Sequence, residues 1–533
     1  MQRRAAFVGA CFAVFGLQFV PQSGVAGARA AVAEKARPTP AVARSRCSAL
    51  ATRPIDDAQV VSARVQPSAQ QWPEYCRVLV IARPAITIEV RMPPQNWNGK
   101  LYFGGCGGAC GRLGTEAPSG PPGYPPVREA LRRGYAIVTT DTGHWGEHAG
   151  DYRWAMNNPV GIADFAAHGV HRALVVAKDL VAAYYGSEIK RSYFEGCSNG
   201  GRQGLIEAQR YPEDFDGIIS GAPGFDFTGQ LAAWIFDAKV DTDSQARRIL
   251  PPAKIESLRK AVIKSCGDRE GVVEDPRACR FDPGVMECGA DRDDKCLTPQ
   301  EIAVARDWYR GPGPWLTDGA DYGGLPLGSE ANWAMWVGPD GLLTTIGREA
   351  VRYLVVPAHG PDFDMLQSGL APIRPGLEAL SAQLNPDSVD LSKFRAHGGR
   401  LLVWHGWADP AISPARTIAY FTSMQHAMGG EQATAGFARL FMIAGMNHCG
   451  FVDASPGIDF RGMDLLSEME KWSEGSVAPE SIVTTKKDLA GQVLWSRPIC
   501  SFPKTPRHEG PGDRKDANSW RCVDVAETAS AAH

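Results

Sequence analysis

Residues 195–201 read Glu-Gly-Cys-Ser-Asn-Gly-Gly, and the fold follows from how this stretch is read. Gly196-Cys197-Ser198-Asn199-Gly200 is the Gly-x-Ser-x-Gly of a nucleophile elbow, where small residues flank a serine held on a strained strand-to-helix turn. Context gives the short pattern its weight. "RSYFEGCS" (191–198) reads as a strand entering the turn, and "GGRQGLIEAQRY" (200–211) as a helix leaving it. The cysteine pressed against the serine is no part of that pattern and needs its own reason.

Outward from the turn, the same alternation recurs. "GYAIVTTDTGH" (134–144) is a nearly continuous apolar run, as a buried parallel strand requires. "FAAHGVHRALVVAKDLVAAYYG" (165–186) has helical spacing and ends on a glycine stop. Ahead of them, "CRVLVIA", "ITIEVRM" and "KLYFGG" between Val60 and Phe103 read as a strand meander. Late in the chain, "GGRLLVWHG" (398–406) and "FARLFMIAGMNHC" (437–449) are strand-like, with "PARTIAYFTSMQHAMG" helical between them. Strands alternating with helices at both ends imply an α/β fold, one mainly parallel sheet with helices on both faces. Its two parts are 47–223 and 400–533. Residues 224–399 break the pattern with four cysteines, an acidic stretch and many Gly, Pro and Trp residues, and are expected to form a large inserted lid domain.

A serine nucleophile needs a base and an acid at later strand ends, in the order Ser, acid, His. Asp409, in "VWHGWADPAISP", and His448, in "IAGMNHCG", hold those positions. The imidazole takes the serine proton near neutral pH, and the carboxylate sets its tautomer and stabilises its charge. His405, also at a strand end, is the rival base, or else a satisfied histidine beneath the acid loop. Asp141 is the rival acid, in the wrong order for this fold. With Ser198, Asp409 and His448 chosen, the odd cysteine finds its reason. Cys197 precedes the serine and Cys449 follows the histidine, so residues that must touch bring their cysteines together. A disulfide there would clamp nucleophile to base across a long loop.

The rest of the composition narrows the class. The chain has 533 residues, a formal net charge of −3 and 44% hydrophobic residues. There is no basic run or zinc-like spacing to suggest nucleic acid as a partner. Arg3-Arg4, the apolar "AAFVGACFAVFGLQFV" and the small-residue "GVAGARA" read as a signal peptide over 1–31. No later stretch holds eighteen uninterrupted apolar residues, so no membrane partner is expected once the signal is removed. Residues 32–46, rich in Ala, Pro and Arg, read as a disordered linker. Export, secreted or periplasmic, turns the twelve cysteines beyond Cys11 into a disulfide framework. The absence of Asn-x-Ser/Thr acceptors suits a bacterial source. Cys266/Cys279 and Cys288/Cys296 are close enough in sequence to pair locally. Cys106 and Cys110 are either an extra local disulfide or a redox thiol pair.

"GCSNGGRQG", "WADPAISP" and "GMNHCG" resemble the tannase/feruloyl esterase family, as do "PQNWNGKLYFGG", "TTDTGH", "YPEDFDGIISGAPG", "DPRACRFDP" and "KCLTPQE". The resemblance spans nearly the whole mature chain. It implies an α/β-hydrolase core and a lid over the active site. It also implies hydrolysis of esters of aromatic carboxylic acids of feruloyl, galloyl or terephthaloyl type. Cys47–Cys76 and Cys500–Cys522 complete the disulfide set as the family suggests. Catalysis of this kind requires no cofactor. The family also implies a structural calcium ion within the loop of the Cys266/Cys279 pair, on a pattern like Cys-Asp-x-x-Asp-Gly-x-x-Asp-Gly-Ile. Here the loop reads "CGDREGVVEDPRAC", about four residues shorter than that of the relatives. Asp268, Glu270 and the Val272 carbonyl could retain part of a site, the alternative being a solvated acidic turn.

The oxyanion of an acyl transfer needs backbone N–H donors. Asn199, next after the nucleophile, should supply one. The glycine-rich "FGGCGGACG" (103–111) should supply the other, from Gly105 first and Gly107 second. Residues binding substrate are not identified. Trp333, Trp336, Arg348 and Arg352 are candidates, each with the plainer reading of packing or a solvated helix face. The competing readings are an esterase or acyltransferase of non-aromatic esters, a catalytically silent hydrolase-fold binding protein, and a thiol oxidoreductase centred on Cys106 and Cys110.

Overall fold

The apolar runs assemble into one nine-stranded sheet in the order β1-β2-β3-β5-β4-β6-β7-β8-β9. The strands are β1 (Ala58–Gln66), β2 (Tyr75–Ala82), β3 (Ile86–Met92), β4 (Lys100–Gly104) and β5 (Ala136–Thr140), then β6 (Arg191–Cys197), β7 (Gly217–Gly221), β8 (Arg400–Gly406) and β9 (Ala438–Ile443). β1, β2, β3 and β5 pair antiparallel, and every pairing from β5 through β4 to β9 is parallel. This computed structural model describes residues 39–524 apart from 70–71, 115–123, 291–292, 294, 314–321, 360–361, 387, 452–461 and 489–491. The signal peptide expected over 1–31 lies outside the described residues.

Burial follows the pairing. β5 and β7 are buried along their whole length, and β6 and β8 at all but their first residue. Helices cover both their faces, which is why these strands read as unbroken apolar runs. β1, at the edge, alternates exposed and half-buried positions over most of its length. Helix Gly169–Tyr185 packs its apolar side into the core and stops at Gly186, whose φ of 66° gives the left-handed cap.

Three features differ from the expectation. The described part of the 32–46 linker is ordered: helix Pro40–Ala49 starts on a Thr39 cap, and Cys47 anchors it to Cys76 of β2. β7 is a strand that periodicity does not separate, being five residues long with a glycine at each end. After β9 the chain adds two hairpins, β10 (Ser481–Lys487) with β11 (Val493–Cys500) and β12 (Thr505–His508) with β13 (Trp520–Val523). The segment 224–399, between β7 and β8, adds no strand to the sheet among the described residues. Its helices, among them Phe227–Val240, Pro299–Arg310 and Leu342–Ala350, pack around a second apolar cluster that includes Trp308 and Trp333.

All six expected cysteine pairs are disulfides: Cys47–Cys76, Cys106–Cys110, Cys197–Cys449, Cys266–Cys279, Cys288–Cys296 and Cys500–Cys522. For Cys106 and Cys110 the structure thus takes the disulfide over the free thiol pair. The Cys288–Cys296 bond spans only eight residues and serves a turn of the insertion, not the site. Cys296 is half-buried there, its amide donates to Asp293 Oδ1 at 3.0 Å, and neither cysteine lines the cavity that holds Ser198.

Candidate active site

Four loops leave the carboxyl ends of parallel strands on the same edge of the sheet, where ligands of open α/β sheets bind. The first, after β6, carries Ser198. Its backbone sits at φ 63°, ψ −123°, a conformation that costs energy for a residue with a side chain. The surroundings hold it there: the Ser198 N–H donates to the Gly221 carbonyl at 3.0 Å, and the Ser198 carbonyl accepts from Arg202 and Gly224, each at 3.0 Å. Glycine precedes the cysteine for a steric reason. A Cβ on Gly196 would stand 2.7 Å from the Gly200 carbonyl carbon.

Asp409 and His448 follow β8 and β9. His448 Nδ1 meets Asp409 Oδ2 at 2.8 Å, which leaves Nε2 as the basic nitrogen. Cys197 and Cys449 are bonded with Cα atoms 5.9 Å apart, so the turn bearing the serine is tied directly to the histidine. Asp409 is itself enclosed. Its Oδ1 accepts the amides of Ala411 (2.8 Å) and Ile412 (3.0 Å), and its Oδ2 also meets His405 Nε2 at 3.1 Å. Burial alone would raise this carboxyl. The charge and hydrogen bonds of His448 and His405 outweigh it and hold Asp409 well below the usual carboxylate range.

The rival histidine is therefore a partner of the acid. His405 is completely buried, and its Nε2 faces two acceptors, Asp409 Oδ2 and the Ile412 carbonyl at 3.1 Å, so that nitrogen carries the proton. Nδ1 meets Thr417 Oγ1 at 2.9 Å. The rival acid, Asp141, is an anchor for strand ends: its Oδ1 accepts the amides of Thr87 and Gly143, each at 2.9 Å.

The glycine loop after β4 corrects one expectation. The Gly105 N–H donates to the Glu195 carbonyl at 2.9 Å, continuing the β4–β6 ladder, and is not available to an oxyanion. Gly105 is glycine because a Cβ there would meet the Phe194 ring at 2.7 Å and Gly200 Cα at 3.2 Å. The Cys106 amide is also taken, by Gln203 Oε1 at 3.1 Å. Gly107, the second choice, lines the same cavity as Ser198. Asn199 opens helix Asn199–Arg210, where first-turn N–H groups lack helical acceptors.

Sequence reasoning passed over the support of this loop. Asn199 Nδ2 donates to the Cys106 carbonyl (3.2 Å) and to Cys110 Sγ (3.1 Å), and Gln203 Nε2 to Cys106 Sγ (3.2 Å). Behind them Arg202 is wholly buried. It donates to Asn199 Oδ1 (2.7 Å) and to the carbonyls of Phe165 (2.9 Å), Leu384 (3.0 Å) and Ala166 (3.1 Å). Burial pulls its pKa down to about 9. The signal was visible only as "GGRQG", where an arginine one turn beyond a nucleophile has no business in solvent if the helix is buried.

Ser198 and His448 share the wall of one cavity of about 120 Å³, with Tyr152, Phe227, Trp234, Trp336, Leu343 and Phe451 among its other lining residues. An apolar cavity of roughly this size admits a benzene-like ring. Trp336 stands edge-on to the His448 ring, centroids 5.6 Å apart. The other candidates lie elsewhere. Trp333 is buried against Trp308 and Tyr309. Arg352 donates to the Phe363 carbonyl at 3.2 Å. Neither it nor Arg348 is among the described lining residues.

The residues expected to hold calcium are otherwise engaged. Asp268 Oδ1 accepts the amides of Glu270 and Val272, each at 2.9 Å, and the Val272 carbonyl accepts the Asp268 amide at 2.8 Å. One oxygen of each nearby acid also faces a guanidinium: Arg497 reaches Asp268 Oδ2 (3.4 Å), Glu270 Oε2 (2.9 Å) and Glu274 Oε1 (3.0 Å). Calcium asks for six to eight oxygens, roughly. This donor set, already filled by backbone N–H groups and an arginine, does not fit it.

Comparison with known proteins places the fold. A family model described as tannase and feruloyl esterase matches residues 74–523. A protein named as an esterase in Xanthomonas campestris pv. campestris is 32% identical, with 85% of each chain covered. A mono(2-hydroxyethyl) terephthalate hydrolase of Piscinibacter sakaiensis is 28% identical over 86% of each chain. The crystal structure of feruloyl esterase B from Aspergillus oryzae superposes with a TM-score of 0.80 at 26% identity, covering 90% of this chain and all of that one. The core is accordingly an α/β-hydrolase fold.

Proposed function

This chain belongs to the tannase and feruloyl esterase family, and on that footing we propose that it is a secreted serine esterase acting on esters of aromatic carboxylic acids through Ser198, His448 and Asp409. That it is a carboxylic ester hydrolase follows from its relatives. The finer reading rests on one observation: Ser198 and His448 face one small aromatic-walled cavity while Asp409 grips His448 from behind.

In this mechanism Ser198 Oγ attacks the ester carbonyl as His448 Nε2 takes its proton. Asp409 keeps Nδ1 protonated and bears the charge that forms on the ring. The Asn199 amide, at a helix N-terminus, stabilises the oxyanion. Collapse expels the alcohol, which leaves with the His448 proton. Water, deprotonated by the same nitrogen, then releases the acid from Ser198. The aromatic wall holds the ring of the acyl group, and residues 224–399, which supply Phe227, Trp234, Trp336 and Leu343 to that wall, act as its lid. The disulfides fit an oxidising compartment, reached through the signal over 1–31.

Initial rates of the mature protein and its Ser198→Ala variant on methyl ferulate, methyl gallate, mono(2-hydroxyethyl) terephthalate and p-nitrophenyl acetate test this. The expected result is one aromatic ester hydrolysed well above the others, with the variant slower by a factor of about 10⁴ or more. Equal rates for variant and wild type would move the nucleophile elsewhere. Activity on the acetate alone would refute the aromatic pocket.

A further inference from the structure

We propose that Arg497 is a built-in cation for the loop between Cys266 and Cys279, standing where the family resemblance calls for a calcium ion, so that this chain folds there without a metal. The loop brings three carboxylates, Asp268, Glu270 and Glu274, to one point, and Arg497 meets all three. Three carboxylates facing one another repel and must be neutralised from somewhere.

The arginine is placed for this purpose by elements far from the loop. It lies on β11, paired across to Thr484 of β10, and its side chain is 8% exposed. The rings of Trp495 (5.2 Å) and Trp520 (4.6 Å) hold the guanidinium. Trp520 is on β13, which the Cys500–Cys522 disulfide fastens to β11. A guanidinium presents N–H groups in a planar fork, which suits several carboxylates arriving from one side. Two of the three acids are glutamates, with longer arms than the aspartates of the family pattern, and so reach a group anchored outside the loop. A calcium ion would sit inside the loop and draw on its backbone carbonyls. Here the Val272 carbonyl already accepts the Asp268 amide within a tight turn.

The consequence is mechanical. The arginine joins the 266–279 loop to the C-terminal hairpins, around a cavity of about 530 Å³ that is lined by none of Ser198, Asp409 or His448. From the same loop Arg277 lies over the Trp407 ring at 5.0 Å. Trp407 is two residues before Asp409, so the loop buttresses the strand end that carries the acid.

The test is thermal melting of the mature full-length protein with chelator or with millimolar calcium, beside calcium analysis after equilibration and desalting. The expectation is the same Tm in both solutions and far less than one equivalent of calcium retained. A fall in Tm with chelator that calcium reverses, or one bound equivalent, overturns the proposal. Arg497→Met should lower Tm by roughly 5 °C, because it leaves three clustered, partly covered carboxylates without their cation. Arg497→Lys, which keeps the charge without the fork, should fall between. An unchanged Tm in Arg497→Met overturns the proposal. Should Arg497→Met fail to fold, the Lys variant and the chelator and calcium measurements on the wild type still decide.

Discussion

Two turns in this chain are each fastened to a partner far along the sequence, one covalently and one by charge. Cys197, beside Ser198, is bonded to a cysteine 252 residues on. Asp268, in the acidic loop, meets an arginine 229 residues on. The first fastening sits where the Ser198 backbone is strained and the proposed nucleophile and base must keep their places, and a disulfide holds regardless of pH or salt. The second stabilises a loop outside the site, where a guanidinium suffices, although the carboxylates it meets titrate with pH. Of the two long-range fastenings, the covalent one holds Ser198 and His448 together.

The comparison breaks first at the clamp. Cys197→Ser combined with Cys449→Ser should destabilise the protein by about 5 kcal/mol on the loop-entropy relation for so long a loop. Denaturant unfolding of oxidised wild type and variant measures this. Turnover should fall as well, since Ser198 and His448 lose their common tether. A variant as stable and as fast as wild type would show that packing alone holds the turn.

A smaller effect is expected one step behind the acid. His405→Leu removes the Nε2–H bond to Asp409 and should lower kcat by roughly 10- to 100-fold with KM little changed, as expected for a lost transition-state contribution. A change in KM alone would place His405 in substrate binding instead of positioning.

The smallest concerns pH in the second turn. Burial pushes the Glu274 carboxyl up to about 7 despite Arg497. Between its ordinary value and that pH the folded state holds a proton that the unfolded chain has lost. This contribution to stability is therefore present at low pH and declines as pH rises through that window. Glu274→Gln should flatten this slope, by roughly one or two degrees in the difference between Tm at pH 5 and pH 8. Parallel curves for variant and wild type would mean that the acid is already ionised.

Legibility tracked whether a residue's role is local. The strands β4, β5, β6, β8 and β9 showed as apolar runs because both faces are covered, and Ser198, Asp409 and His448 showed because each follows such a run. Cys288 and Cys296 showed as a pair because eight residues separate them. β7 did not show, since five residues between glycines carry no period. Gly105 misled: a glycine loop advertises N–H donors, but only the β4–β6 ladder reveals that this one is already given to Glu195. His405 was visible as a histidine at a strand end, and only its two acceptors disclosed that it holds Asp409.

The sequence by itself determined the α/β alternation, the order of the candidate residues Ser198, Asp409 and His448 and the cysteine beside each end of the clamp, because strand periodicity, turn chemistry and thiols leave marks on their immediate neighbours. Only the tertiary structure decided that the Gly105 amide is given to Glu195, what stands behind Asp409, and that Arg497 faces the acidic loop. Those depend on hydrogen bonds and charges between residues brought together by the fold, and an arginine, histidine or glycine looks the same in sequence whichever partner it finds.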